Sequence, residues 1–113
     1  IRSVAYAPSG QQLASGSLDK TIKVWDLRAM QCQATLESHQ GWVESVAYAP
    51  SGQQLASSGK FDKNIKLWNL GTMECQAILE GHNDWVHSVA YAPSGQQLAS
   101  ASSDQSVKLW DIS

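Results

Sequence analysis

The sequence predicts an all-β fold made of repeated four-stranded antiparallel blades, and two observations lead to it. Thirteen residues, Ser-Val-Ala-Tyr-Ala-Pro-Ser-Gly-Gln-Gln-Leu-Ala-Ser, occur letter for letter at 3–15, 45–57 and 88–100, with spacings of 42 and 43 residues. A repeat period of about 40–45 residues is typical of β-propeller blades. Within each repeat, short strand-like stretches alternate with turn residues, and no stretch keeps a helical spacing of apolar residues beyond one turn.

The second repeat shows the predicted strands in order. The first strand covers 45–49 and ends at Pro50-Ser51-Gly52, where proline sets φ and glycine tolerates a positive φ. The remaining three strands are predicted at 54–57, 64–68 and 74–79. We refer to these four strands as a, b, c and d, from the innermost to the outermost.

Applied to the whole chain, this pattern predicts eleven strands and about three blades. The predicted blade limits are about 1–37, 38–80 and 81–113, and the third blade lacks its outermost strand. Propellers typically have four to eight blades, so three units are too few to close a ring. We therefore expect the other blades to come either from the same parent chain or from further copies of this chain in a homo-oligomer.

Composition narrows the function classes. The chain has 42% hydrophobic and 16% charged residues, which is typical of a globular protein. The net charge is −2 and the basic residues are scattered, so a nucleic-acid partner is disfavoured. No apolar run approaches the length of a membrane span, and no signal-peptide pattern opens the chain, so no membrane partner is expected.

The two cysteines, Cys32 and Cys75, occupy the same place in successive repeats. Equivalent positions of neighbouring blades do not normally reach disulfide distance, and neither cysteine belongs to a metal-binding Cys-x-x-Cys pair. We predict that both are reduced residues in apolar packing, as suits an intracellular, cytoplasmic protein.

Several short motifs recur with the strands. A tryptophan followed by an acid or amide ends each third strand, an aspartate marks each tight turn, and Gly81-His82 opens the third repeat. On these residues the whole chain resembles the WD-repeat β-propeller family. The departures are Ser38 in place of glycine before His39, Asn69 in place of aspartate, and a first repeat without histidine.

The resemblance implies a structural tetrad of hydrogen-bonded His, Ser, Asp and Trp in each blade. A buried indole N–H and a buried carboxylate both need partners. The same residue types could suggest a hydrolase triad, but the set recurs once per blade and no Gly-x-Ser-x-Gly motif occurs. We therefore expect no catalytic residue, no metal and no cofactor. The implied tetrads are His39, Ser57, Asp62 and Trp68 in the second blade, His82, Ser100, Asp104 and Trp110 in the third, and Ser15, Asp19 and Trp25 in the first.

Sequence differences between the repeats are concentrated in the loops, where we expect specificity. The resemblance implies that the d–a loops and b–c turns share one rim, the face that the family most often uses for partners. Mixed aromatic, charged and polar surfaces suit protein recognition. Alternatively, Trp42 and Trp85 fill the wedge between blades. The predicted partner-binding rim consists of Arg2, Leu18, Trp42, Glu44, Phe61, Trp85, His87 and Ser103.

These observations predict a non-catalytic protein–protein interaction scaffold that binds protein partners through this rim. Two alternatives stay open from the sequence. One is a propeller that binds a small ligand or glycan by stacking it on Trp42 and Trp85. The other is a regulatory propeller segment of a larger multidomain protein.

Overall fold

The computed structural model is all-β and contains three antiparallel sheets, which confirms the predicted fold class. It describes residues 3–16, 20–37, 43–59, 64–80 and 84–111, and these residues form no helix. Strands follow one another in chain order within each sheet, so every connection is between neighbouring strands.

The eleven strands of the described residues fall into sheets of four, four and three. The first sheet contains β1 (Ser3–Tyr6), β2 (Gln12–Gly16), β3 (Thr21–Asp26) and β4 (Gln31–Glu37). The second contains β5 (Val43–Tyr48), β6 (Gln54–Gly59), β7 (Asn64–Asn69) and β8 (Glu74–Glu80). The third contains β9 (Val86–Tyr91), β10 (Gln97–Ser102) and β11 (Val107–Asp111). The blade limits stay a prediction, since most of them fall beside parts of the chain outside the described residues.

The repeated Pro-Ser-Gly turn closes the first hairpin of each sheet. In the first sheet, the Gly10 amide donates to the Ala7 carbonyl at 2.9 Å, and the Ala7 amide donates to the Gln12 carbonyl at 2.8 Å. Gly10, Gly52 and Gly95 all have φ between 75° and 77°, a conformation that L-residues with a Cβ rarely adopt. The glycine of this turn is therefore required by its backbone geometry.

Two apolar layers hold the three sheets in a row. In the first layer, Ile22 and Val24 of the first sheet cluster with Val46 and Leu55 of the second. In the second layer, equivalent residues repeat the arrangement: Ala56, Ile65 and Leu67 of the second sheet cluster with Val86, Val89 and Leu98 of the third. The two inter-sheet contacts are thus built from the same positions of successive repeats.

Each sheet therefore has two different faces. We call the face that carries Val46, Tyr48, Leu55 and Trp68 in the second sheet the leading face; it packs on the preceding sheet. We call the face that carries Ala47, Ala56, Ile65 and Leu67 in the second sheet the trailing face; it packs on the following sheet. These names apply to the equivalent positions of the other two sheets.

The prediction that the cysteines lie in apolar packing is wrong. Cys32 and Cys75 are free and exposed on the outermost strands, β4 and β8. Each thiol lies near the carbonyl two residues further along its own strand, at 3.5 Å for Cys32 and 3.6 Å for Cys75. An outermost strand has neighbours on one edge only, so a side chain placed there keeps much of its contact with solvent.

Candidate functional site

A tryptophan–serine hydrogen bond is present in every sheet. The indole Nε1–H donates to the serine Oγ at 3.1 Å for Trp25 and Ser15, and at 2.8 Å in the second and third sheets. The register causes this contact, because each of these tryptophans pairs with the leucine two residues before the serine. Each of these serines is buried, so its oxygen binds an indole inside the sheet rather than facing a substrate.

Asp104 is the one tight-turn aspartate that lies within the described residues. Its Oδ1 accepts hydrogen bonds from the amide and the hydroxyl of Ser106, the first at 3.0 Å. Its own amide donates to Ser102 Oγ at 3.2 Å. Asp104 thus holds the turn between β10 and β11 together. His39, His82, Asp19 and Asp62 lie outside the described residues, so the complete tetrads stay a prediction.

Three predicted rim residues come together at the start of the third sheet. The imidazole Nε2 of His87 forms a hydrogen bond with Ser103 Oγ, and the Ser103 amide donates to the Trp85 carbonyl at 2.9 Å. The rings of Trp85 and His87 meet edge to face, with centroids 5.9 Å apart at an interplanar angle of 70°. We call Trp85, His87 and Ser103 the third-blade rim cluster.

Hydrogen bonds between side chains and the backbone also hold this cluster. Ser102 Oγ donates to the Asp84 carbonyl at 3.2 Å, and Asp84 Oδ1 accepts from the Trp85 amide at 2.8 Å. The loop before β9 is therefore tied to the turn after β10. The loop before β9 and the turn after β10, which are a d–a loop and a b–c turn, thus both contribute hydrogen bonds to the cluster.

A β-bulge sets the direction of the His87 side chain. Val86 pairs with Ser102 and Ser88 pairs with Ala101, so His87 is an extra residue with no residue opposite it. Glu44 occupies the same bulged position in β5. Bulges interrupt the ladder and re-aim side chains, and here His87 is exposed while its neighbour Val86 is fully buried.

The remaining predicted rim residues are distributed as follows. Glu44 is half-buried at its bulge. Trp85 is also half-buried, and its ring contacts that of His87. Arg2, Leu18, Trp42 and Phe61 lie outside the described residues. Both interpretations, a binding surface and a filler of the wedge between blades, therefore stay predictions for Trp42 and Trp85.

The opposite rim carries a polar network that the sequence analysis missed. The Tyr48 hydroxyl donates to Gln12 Oε1 of the preceding sheet at 3.0 Å, and Gln12 Nε2 donates to Gln33 Oε1 at 3.0 Å. The next pair of sheets repeats this relay: Tyr91 donates to Gln54 at 2.8 Å, and Gln54 donates to Gln76 at 3.3 Å. Gln33 and Gln76 are both bulged residues of the outermost strands.

The relay explains one of the two repeated glutamines. In the first two repeats, both glutamines of the Gln-Gln pair line a polar groove between two sheets, of about 400 Å³ beside Gln12 and about 390 Å³ beside Gln54. Burial at this junction raises the pKa of Tyr48 to about 12 and raises that of Tyr91 as well. A contact between blades would explain why the tyrosine and glutamine of the relay are identical in successive repeats. In the apolar core, by contrast, a pattern of hydrophobic residues is sufficient.

The described ranges hold neither a group of metal-ligating side chains nor a membrane-spanning helix. No three His, Cys, Asp or Glu side chains among these residues are grouped so that they could hold a metal ion. In the same part of the chain, there is no helix with the length and apolar character needed to cross a membrane.

Comparison with known proteins gives partial relatives. A stretch of 34 residues is 56% identical to zinc finger CCCH domain-containing protein 59 of Arabidopsis thaliana, and a stretch of 39 residues is 44% identical to the ribosome biogenesis protein BOP1 homolog of Drosophila virilis. These matches cover 30% and 34% of this chain, but only 7% and 5% of the respective relatives. The chain thus spans less than a tenth of the length of the curated relatives that it matches.

A family comparison covers nearly the whole chain. The family described as WD domain, G-beta repeat matches residues 1–26, 30–69 and 73–111. The matched repeats are offset from the sheets by one strand, because residues 30–69 contain β4 of the first sheet together with β5, β6 and β7 of the second. An outermost strand and the following three strands thus form one sequence repeat, which links adjacent blades covalently. By this match and by its three blade-like sheets, the chain belongs to the WD-repeat family.

Proposed function

We propose that this chain is a non-catalytic scaffold that binds a protein partner through the rim formed by its d–a and b–c loops. The observation that carries the proposal is the third-blade rim cluster. It combines a tryptophan, a histidine and a serine that are already hydrogen-bonded to one another on the surface. Family membership supports the same general role.

Preorganisation of the third-blade rim cluster favours binding. Tryptophan is among the residues that contribute most to protein–protein affinity, and a side chain already held in place loses little freedom on binding. The Trp85 and His87 rings touch, and the bulge directs His87 outward. The side chains of this cluster would therefore lose little conformational entropy when a partner covers them.

The absence of catalysis is part of the proposal. The serines that could suggest a nucleophile are buried, and their oxygens accept hydrogen bonds from indoles. A buried hydroxyl that already satisfies an N–H donor is poorly placed to attack a substrate. An intracellular setting belongs to the same proposal and is supported by two exposed, unbridged thiols.

The test uses peptide ligands selected from a displayed library on the wild-type chain. We expect Trp85→Ala and His87→Ala to weaken the selected peptides at least about tenfold, the loss typical of a hot-spot residue. Met30→Ala is the matched control, because Met30 is 78% exposed in the turn between β3 and β4, away from the cluster. The affinity of Met30→Ala for the selected peptides should equal that of the wild-type chain.

Two results would overturn the proposal. Selected peptides that bind equally well to Trp85→Ala and to wild type would place the recognition surface elsewhere. Binding of oligosaccharides on a glycan array, lost in Trp85→Ala, in a chain that selects no peptide would favour the glycan-binding alternative.

A further inference from the structure

The first sheet exposes its leading face and the third sheet exposes its trailing face. Within the chain, these two kinds of face pack against each other. On the leading face of the first sheet, Val4 is 57% exposed and Tyr6 is 68% exposed. On the trailing face of the third sheet, Val107 is 70% exposed and Leu109 is 73% exposed. Large apolar side chains are therefore uncovered at both ends.

Inside the chain, the equivalent positions are buried by a neighbouring sheet. Val46 and Val89 occupy the place of Val4, and each is 6% exposed. Ile65 and Leu67 occupy the places of Val107 and Leu109, and they are 0% and 4% exposed. The end faces thus have the composition of a packed contact.

Two polar contacts also repeat across the internal junctions. The tyrosine that ends strand a donates to the glutamine that begins strand b of the preceding sheet, as in Tyr91 to Gln54 at 2.8 Å. The valine amide of strand a donates to a serine of the preceding strand a at 3.4 Å, as in Val89 to Ser45. At the two ends, the corresponding donors are Tyr6 and Val4, and the corresponding acceptors are Gln97 and Ser88.

We propose that the leading face of the first sheet binds the trailing face of the third sheet in a second copy of this chain. Two copies with three sheets each would form a ring of six blades, within the four to eight that propellers contain. The contact would continue the one that already occurs twice within the chain. It is a head-to-tail contact, and two equivalent contacts close the ring about a two-fold axis.

The proposal specifies atoms. The Tyr6 hydroxyl donates to the amide oxygen of Gln97 of the partner subunit, and the Val4 amide donates to the hydroxyl of Ser88 of the partner subunit. Val4 and Leu13 pack on Val107 and Leu109 of the partner subunit. This assembly involves the end faces and does not depend on the rim proposed above for partner binding.

The first measurement is the absolute mass of the purified chain by sedimentation and light scattering over a dilution series. We expect a species of twice the 12.3 kDa chain mass that dissociates on dilution. Leu109→Asp should abolish this dimer, because the substitution places a charge in the contact between the two copies. The isolated chain should tolerate the change, since Leu109 is exposed there. Met30→Asp, at a position of similar exposure, should remain dimeric.

Two further variants guard against a folding artefact. Val4→Asp damages the other face, so a mixture of Val4→Asp and Leu109→Asp should form a heterodimer through the one undamaged contact, although each alone is monomeric. Tyr6→Phe is the mild change, and we expect about a tenfold weaker dimer from the loss of one hydrogen bond in each of two contacts.

Three results would overturn the proposal. The first is a folded wild-type monomer at every soluble concentration, which would leave the end faces for blades of a different chain segment. The second is a dimer that Leu109→Asp does not weaken. The third is aggregation without a defined mass, since the closed ring predicts a discrete size.

Discussion

The first and second sheets contain the same thirteen-residue segment, yet the same letters are buried to different extents. Leu55 is fully buried and Leu13 is half-buried, although the two occupy the same position of identical segments. Trp68 is 3% exposed, whereas Trp25 is half-buried. The difference comes from the preceding sheet, which covers the leading face of the second sheet and is absent from that of the first.

The two identical segments differ in their surroundings and not in their sequence. Both segments have the same strand propensities, the same turn and the same hydrogen-bonded partner strand. What differs is the apolar surface that a neighbouring blade removes from water. Equivalent substitutions should therefore have unequal effects, and the size of the inequality measures the contribution of the neighbour.

The largest inequality is expected for the repeated leucine. Leu55→Ala should lower the free energy of unfolding by about 3 kcal/mol, because it leaves a cavity in a fully buried layer. Leu13→Ala should lower it by about 1 kcal/mol, since solvent can fill the space. Urea denaturation in dilute solution provides the measurement, and equal losses for the two variants would contradict the comparison.

The tryptophan–serine bonds give the next effect. Ser57→Ala leaves the buried indole N–H of Trp68 without this acceptor and should cost about 2 kcal/mol. Ser15→Ala should cost about 1 kcal/mol, because Trp25 remains within reach of water. Thermal unfolding followed by tryptophan fluorescence in dilute solution would report both values.

Ser58 offers a matched control beside Ser57. Its Oγ is buried and has no hydrogen-bond partner among the residues that the structure describes. Removing an unsatisfied hydroxyl from an apolar site costs nothing and can stabilise. Ser58→Ala should therefore leave stability unchanged within about 0.5 kcal/mol or increase it, and a loss as large as that of Ser57→Ala would refute the assignment.

The burial of Tyr48 predicts a dependence of stability on pH. Burial raises the pKa of Tyr48 to about 12, above the value of about 10 in an unfolded chain. The folded state thus holds this proton more tightly, and its contribution to stability is complete below about pH 10 and declines as the pH rises toward about 12. Stability measured across this range should fall less steeply in Tyr48→Phe than in wild type, and equal slopes would count against the burial of this hydroxyl.

The smallest effects are expected at the cysteines. Cys32 and Cys75 are exposed on outermost strands, where a neighbouring blade changes little. Cys32→Ser and Cys75→Ser should each change stability by less than about 0.5 kcal/mol. Both thiols should react with a thiol-specific reagent in the folded chain without a lag, and protection of either would restore the packing prediction.

The sequence was sufficient for the fold because the repeat period and the turn residues are local signals. The strand predicted at 45–49 is β5, at Val43–Tyr48, and the Pro-Ser-Gly turn is where the positive φ of Gly52 occurs. The order of strands within each sheet also follows from short connections alone.

Other features depend on residues that are distant in the sequence. The bulge at His87 interrupts the regular pairing of β9 with β10. The relay joins Tyr48 to Gln12 across two sheets and then to Gln33 at a second bulge, and neither bulge has a signature in the letters. The exposure of the cysteines was missed although the strand at 74–79 was predicted to be the outermost one, because the prediction followed the apolar character of the thiol rather than the position of its strand.

The most direct test of the central claim is amide hydrogen exchange in the wild-type chain, measured by nuclear magnetic resonance. Strands β1, β5 and β9 each pair with one strand only, and their sequences are identical from Ser3, Ser45 and Ser88 onward. The amides that follow these serines therefore have the same intrinsic exchange rates. We expect the amides of β1 to exchange faster than those of β5 and β9 in dilute solution. The rates should converge as the concentration rises and a second copy covers the first sheet. Equal protection of all three strands at every concentration would contradict this expectation.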